Sequence, residues 1–219
     1  EFRKFTAAQI IGVFDTDFER SLSFCNRHKL RKFDSPEELL SQQIDVVVIG
    51  CETAYHLEAV SLACRYVENI ALQKPLATTI IDGRKISQEI QKSGAQLLML
   101  WQMRVDPANQ FIKQIIDEER LGQLLHFRRR HCLSTHRWPD FQQSWHVSRQ
   151  LNLGMWADDA AHPIDLMRWL FGSPKTLYAD IDTLVNPEVP DDNGIAIFRY
   201  DSGLFAEIQC SFTSDFGET

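Results

Sequence analysis

Residues 45–49 read Asp-Val-Val-Val-Ile. Four β-branched residues in succession leave no polar alternation, so this run predicts a strand covered on both faces, as in the middle of a parallel sheet. That restricts the fold, because parallel neighbours need crossover connections, usually helices. The flanking segments supply them. Residues 9–14 (QIIGVF) predict a strand ending in Asp15-Thr16-Asp17. Residues 18–29 carry helical spacing through Phe18, Leu22 and Cys25, and a short strand follows near 31–33. Ser35-Pro36-Glu37-Glu38 has the chemistry of a helix start: Ser as N-cap, Pro first, Glu third. Helical periodicity covers 56–67 and 79–92, with strands at 70–72 and 96–101. The alternation predicts an α/β, Rossmann-like, doubly wound parallel sheet over residues 1–101.

Residues 102–219 read differently. A helix is expected at 106–117, a long alternating strand at 124–132 and a helix at 159–171. Strands follow at 176–182, 194–200 and 203–212, the last two joined by the turn Asp201-Ser202-Gly203. This predicts an α+β domain with a mostly antiparallel sheet. The few helices leave sheet surface to cover, so a homodimer or homotetramer through that sheet is expected. The chain starts at Glu1 with a segment, EFRKF, that reads as the tail of a helix, and FTSDFGET stops after a strand-like run. Material is therefore expected to be missing at both ends.

Charge and cysteines narrow the partners. A net charge of −7 disfavours nucleic acid, since a binding face must first attract phosphates. Arg128, Arg129 and Arg130 alternate faces on a strand and form no single patch. No apolar run reaches the eighteen residues of a membrane-spanning helix, and no signal peptide is recognisable. The five cysteines are scattered without a C-x-x-C pair, which predicts neither disulfide framework nor structural zinc and fits a reducing cytoplasm. No metal site is expected from His126, His131, His136 and Cys132 either, because strand geometry separates His131 from His126 and Cys132.

Ligands of open parallel sheets bind beyond the carboxyl ends of the strands. Asp15 ends the first strand and suits either a ribose diol or a helix N-cap. The glycine-rich loop that would decide this lies roughly 20–30 residues upstream of such an acid, before this chain begins. The stretch from Cys51 to His56 follows the most apolar strand, with Thr53 also readable as a helix cap. Lys74, in NIALQKPLA, sits where a buried strand hands over to a helix. Burial would let it exchange protons near neutrality, while a snorkelling side chain would not. Asp158, His162 and Asp165 share one face if helical. A carboxylate beside an imidazole suits acid–base work, and equally a capped, satisfied histidine. Trp138 and Trp145 lie in a polar stretch and suit either sugar stacking or local packing.

Five passages in this order resemble the Gfo/Idh/MocA family of nicotinamide-dependent oxidoreductases. They are IIGVFDTDFER, SPEELLSQQIDVVVIGCETAYHLEAV, ALQKPLATT for the family's E-K-P, MRVDP…LGQL with Arg104, Pro107 and Gly122, and DDAAHPIDLMRWLFGSP. The resemblance implies hydride transfer between NAD(P) and a hydroxyl or carbonyl of a sugar, cyclitol or related polyol. It implies Lys74, Asp158 and His162 as catalytic residues in a cleft between the domains. Lysine would stabilise an alkoxide, the imidazole would take the hydroxyl proton, and Asp158 would orient the imidazole or bind a neighbouring hydroxyl. The implied cofactor-binding residues are Asp15, Cys51, Thr53, His56, Gln73, Lys74 and Arg104. Gln73 replaces the family's glutamate, Cys51-Glu52-Thr53 its T-P-N, and Ala160 its glycine. Relatives that cleave glycosidic bonds, or sense sugars without turnover, are the alternatives. Asp15 and Asp17 favour NAD over NADP, the nearest base being Arg20, a turn into the helix.

Overall fold

The computed structural model describes residues 8–217, so the EFRKF segment lies outside the described residues. Local chemistry sets the first helices. Asp17 accepts the Arg20 N–H at 3.0 Å and caps α1 (Phe18–His28), which closes on a left-handed Lys29. Ser35 accepts the Glu38 N–H at 3.0 Å ahead of α2 (Pro36–Leu40), and the Glu38 carboxylate accepts the Asp34 N–H, one residue before the cap, at 3.0 Å. Thr79 caps α4 (Ile80–Ser93) in the same way.

The strands β1 (Gly12–Val13) and β2 (Arg31–Lys32) pair in parallel. A second parallel sheet has the order β3 (Val47–Ile49), β4 (Asn69–Leu72), β5 (Gln96–Met99). Among the described residues these are two sheets, not the single one expected, because β1 and β3 do not pair. Helices α3 (His56–Ala63) and α4 cover one face, where Val47, Ile49, Val60, Ile70, Leu72 and Ile86 form the core. Among the described residues no helix covers the other face, where a strand covered on both sides was expected. Val48 and Leu98, registered across Ala71, are 54% and 65% exposed. The β-branched run reports strand preference correctly, but cover on the second face needs an element that no described helix provides.

After α5 (Pro107–Asp117) comes a four-stranded sheet in the order β6 (His126–Cys132), β9 (Phe205–Ser211), β8 (Asn193–Arg199), β7 (Thr176–Asp182). Only β6–β9 is parallel. The helices α6 (Met155–Asp158) and α7 (Ala161–Phe171) lie on its inner face, where Trp156, Ile164, Met167 and Phe171 meet Ala196, Phe198, Ala206 and Ile208. Gly194 permits this contact: a Cβ there would stand 2.8 Å from the Trp156 ring. On the outer face Arg128 pairs with Glu207 and Arg130 with Gln209, so the arginines are spent across strands. No described helix is long and apolar enough to cross a membrane.

Candidate active site

Parallel strands bring their carboxyl ends to one edge. Cys51 and Lys74 follow β3 and β4 at that edge of the second sheet, and Asp15 follows β1 in the first. Lys74 reaches from this edge into the second half of the chain. Its Nζ donates to Asp158 Oδ1 at 2.6 Å and to the Asp158 carbonyl at 3.0 Å. The lysine therefore does not snorkel to solvent.

Asp158 is placed by the short helix α6. The Asp191 side chain accepts the Trp156 N–H at 2.7 Å, and its carbonyl accepts the Met155 N–H at 3.2 Å. Gly154 precedes the helix at φ 114°, where a Cβ would collide with Asp191 Oδ2 at 1.9 Å. The Asp158 residue is 1% exposed, yet ionised. Burial pushes its carboxyl up, but the His146 hydrogen bond and the Lys74 charge outweigh burial and hold it below the ordinary carboxylate range. His146 Nδ1 lies 2.8 Å from Oδ2, and Asn152 Nδ2 adds a contact at 3.4 Å.

Here the structure corrects the sequence reading. Asp158 and His162 do not share a helix face, because α6 ends at Asp158 and α7 begins at Ala161. The imidazole bonded to Asp158 is His146, whereas His162 Nδ1 has no hydrogen-bond partner among the described residues. His146 stacks on Trp145, ring centroids 4.1 Å apart, near Trp138 and Phe141. It escaped sequence reasoning because its segment has neither helical nor strand periodicity. The two tryptophans beside it were the available signal.

His162 lies 5% exposed between Trp101 and His131. Burial, helped by the Lys74 charge, pushes its pKa down to about 4, so the ring is neutral at physiological pH. Behind it, His131 Nε2 is 3.1 Å from Asp159 Oδ2.

The other expected contacts are arranged as follows. Asp15 does not cap α1; it is gripped by Arg20, Nε to Oδ2 at 2.9 Å and Nη2 to Oδ1 at 2.7 Å, which lowers its pKa. Gln73 spends its amide oxygen on the Lys74 N–H at 2.9 Å, leaving its NH₂ group to offer a ligand. Thr53 is buried in a single 3₁₀ turn, and burial pushes the Cys51 thiol up. His56, expected at the cofactor, is fully buried. Its ring nitrogens lie 3.3 Å from the Leu76 carbonyl and 3.2 Å from the Cys51 carbonyl, so it fastens two loops of the site edge. Arg104, also expected at the cofactor, forks onto Asp165 at 2.8 and 2.6 Å and ties the segment after β5 to α7. Among the described residues no three His, Cys, Asp or Glu gather to hold a metal.

Comparison with known proteins agrees with this architecture. Residues 2–100 match the oxidoreductase family with an NAD-binding Rossmann fold, and residues 109–219 match the GFO/IDH/MocA C-terminal domain. The chain is 24% identical to 1,5-anhydro-D-fructose reductase of Ensifer adhaerens, over 98% of this chain and 65% of that protein. It is 25% identical to inositol 2-dehydrogenase 3 of Saccharopolyspora erythraea, over 98% of this chain and 62% of that protein. The chain thus spans less than two thirds of the length of these relatives. Among solved structures it resembles the WlbA dehydrogenase of Bordetella pertussis in complex with NADH and UDP-GlcNAcA. There the TM-score is 0.86 at 22% identity, over 97% of this chain and 62% of that one, a likeness of fold. On the two matched domains and the order in which they follow one another, the chain belongs to the Gfo/Idh/MocA oxidoreductase family.

Proposed function

We propose that the protein is a nicotinamide-dependent oxidoreductase that moves a hydride between NAD(P) and a secondary alcohol or carbonyl of a sugar, cyclitol or related polyol. One observation carries this reading: Lys74, at a strand end of the parallel sheet, meets the buried Asp158 of the other half at 2.6 Å, beside a neutral His162. The donor set at the strand ends fits a dinucleotide, with a carboxylate at Asp15 for a ribose and the Gln73 amide beside Lys74. When bound, the nicotinamide supplies hydride acceptance at the carbinol carbon. The buried Nδ1 of His162 has no partner in the described chain, and a neutral imidazole can accept a hydroxyl proton. The Lys74 ammonium stabilises negative charge on the substrate oxygen, and Asp158 holds that ammonium in place.

We take residue 102 as the boundary between the cofactor and substrate domains. NAD is the preferred cofactor in this reading, since Asp15 and Asp17 both stand at the end of β1. Arg20, already on Asp15, is the residue through which NADP would be accepted. The outer sheet face, with Tyr178 64% exposed on β7, supports assembly into a homodimer or homotetramer through that surface. The names of the two dehydrogenase and reductase relatives support a sugar or cyclitol substrate. The test is a panel of polyols and sugars offered to the whole protein with NAD or NADP, beside a chromogenic glycoside. Cofactor reduction by at least one polyol is expected. Release of the chromophore without net reduction would instead indicate glycoside cleavage, and sugar binding with neither would indicate a sensor.

A further inference from the structure

We propose that His146 is a positioning residue of this reaction, donating Nδ1–H to Asp158 Oδ2 and so fixing the carboxylate whose other oxygen carries Lys74. The inference rests on the dehydrogenase reading for its kinetic consequence, and on geometry alone for the contact. The Asp158 carboxylate stands between two groups that grip it through hydrogen bonds: Lys74 on Oδ1 at 2.6 Å and His146 on Oδ2 at 2.8 Å. A buried carboxylate with one partner can rotate about its χ2 torsion. With a donor on each oxygen the plane is set, and the Lys74 ammonium is set with it. An ionised carboxylate is acceptor-only, so His146 must donate, and the neutral ring is then the Nδ1–H tautomer with Nε2 left as an acceptor. The same logic fixes the histidine of a catalytic triad through its carboxylate.

The surroundings of His146 hold the ring at this angle. Trp145 stacks on it, and Trp138, Phe141 and Phe212 stand at 6.2, 6.3 and 6.2 Å. Asn152 Nδ2 bridges the His146 carbonyl and Asp158 Oδ2 at 3.3 and 3.4 Å. Among the described residues the charged groups facing the ring are Asp158 and, beyond it, Lys74, and the rings packed on it are aromatic. His146 thus has two separable properties, an aromatic face that packs and an N–H that donates.

Two substitutions separate them. His146→Phe keeps the stack and removes the donor. His146→Asn removes the stack and keeps an N–H donor near the place of Nδ1. If the donor positions Lys74, His146→Phe lowers kcat by about 10- to 100-fold with KM little changed, and His146→Asn recovers most of that loss. Equal losses, a greater loss in His146→Asn, or wild-type kcat in His146→Phe would overturn the proposal. A second readout is independent of turnover: nitrogen NMR of the imidazole in the whole protein. The Nδ1–H tautomer is expected for His146 in the wild type and its loss in Asp158→Asn. An Nε2–H ring in the wild type would overturn the contact. A protein with the Nδ1–H ring but no cofactor reduction on any polyol would sink the dehydrogenase reading while leaving the His146–Asp158 tie intact.

Discussion

Lys74 and His146 grip one carboxylate from two unlike kinds of chain. Lys74 follows a central strand. Its backbone is fixed by the pairing of Leu72 with Ile49 and Met99, and by the Gln73 N–H on the Ile49 carbonyl at 2.9 Å. His146 belongs to a stretch with three single 3₁₀ turns, Thr135–Arg137, Phe141–Gln143 and Trp145–Val147. That stretch is held by separate side-chain bonds, such as Thr135 Oγ1 to the Phe212 carbonyl at 3.0 Å and Ser144 Oγ to the Phe141 carbonyl at 2.7 Å. In the first region a sheet positions the residue, and no single side chain is indispensable. In the second, each bond contributes about 1 kcal/mol and the position depends on all of them. The difference teaches that one site can be robust where a sheet holds a residue and tunable where separate side-chain bonds do.

The strongest test of this contrast is Lys74→Met. In the proposed reaction it removes the donor to the developing alkoxide, and kcat/KM should fall by at least about 10²–10³-fold with the far-ultraviolet dichroism unchanged. An active Lys74→Met enzyme would show that the strand end is scaffold only. Next is Asp158→Asn, which leaves a poorly exposed ammonium without its counter-charge. Breaking such a pair from one side costs about 3 kcal/mol, whereas Glu207→Gln, at the exposed Arg128 pair, should cost less than about 1 kcal/mol in the same denaturant titration. Similar losses for both would mean that Asp158 is not held as described.

The pH dependence of stability sharpens the picture of His162. In the folded state its ring stays neutral down to about 4, while the unfolded chain takes up the proton near 6.5. The folded pKa is depressed, so between these values the unfolded state binds more protons. Stability from this residue is complete above 6.5 and is lost as pH falls towards 4, by roughly 3 kcal/mol at most. His162→Gln should flatten that limb; a limb of unchanged height would place the titration elsewhere. A smaller effect is expected at Asn152→Ala, where loss of the bridge to His146 and Asp158 costs about 1–2 kcal/mol. The strand-end control Gln73→Ala should cost under about 0.5 kcal/mol.

What the residues disclosed follows the same division. Caps and strand ends were legible because each has local chemistry: Ser35 with Glu38, and Lys74 after an apolar run. Val48 misled, because β-branching reports a strand and not how many faces are covered. The 158–162 spacing misled as well, because one face requires one continuous helix and the chain turns between α6 and α7. Arg20 illustrates a third limit. Its distance from Asp15 in sequence was plain, but only the folded chain shows the guanidinium turning back onto the carboxylate. His146 had no periodic signal, since its place is set by contacts with residues from 138 to 212.

The central claim is that hydride leaves a substrate carbon within reach of Lys74 and His162. The most direct measurement uses the polyol that best reduces the cofactor, carrying deuterium on its reacting carbinol carbon, with wild-type whole protein and with Lys74→Met. The account predicts that the wild type places that deuterium on the reduced cofactor and that Lys74→Met, though still binding cofactor, transfers almost none. Deuterium lost to solvent, or transferred equally well by both proteins, would contradict it.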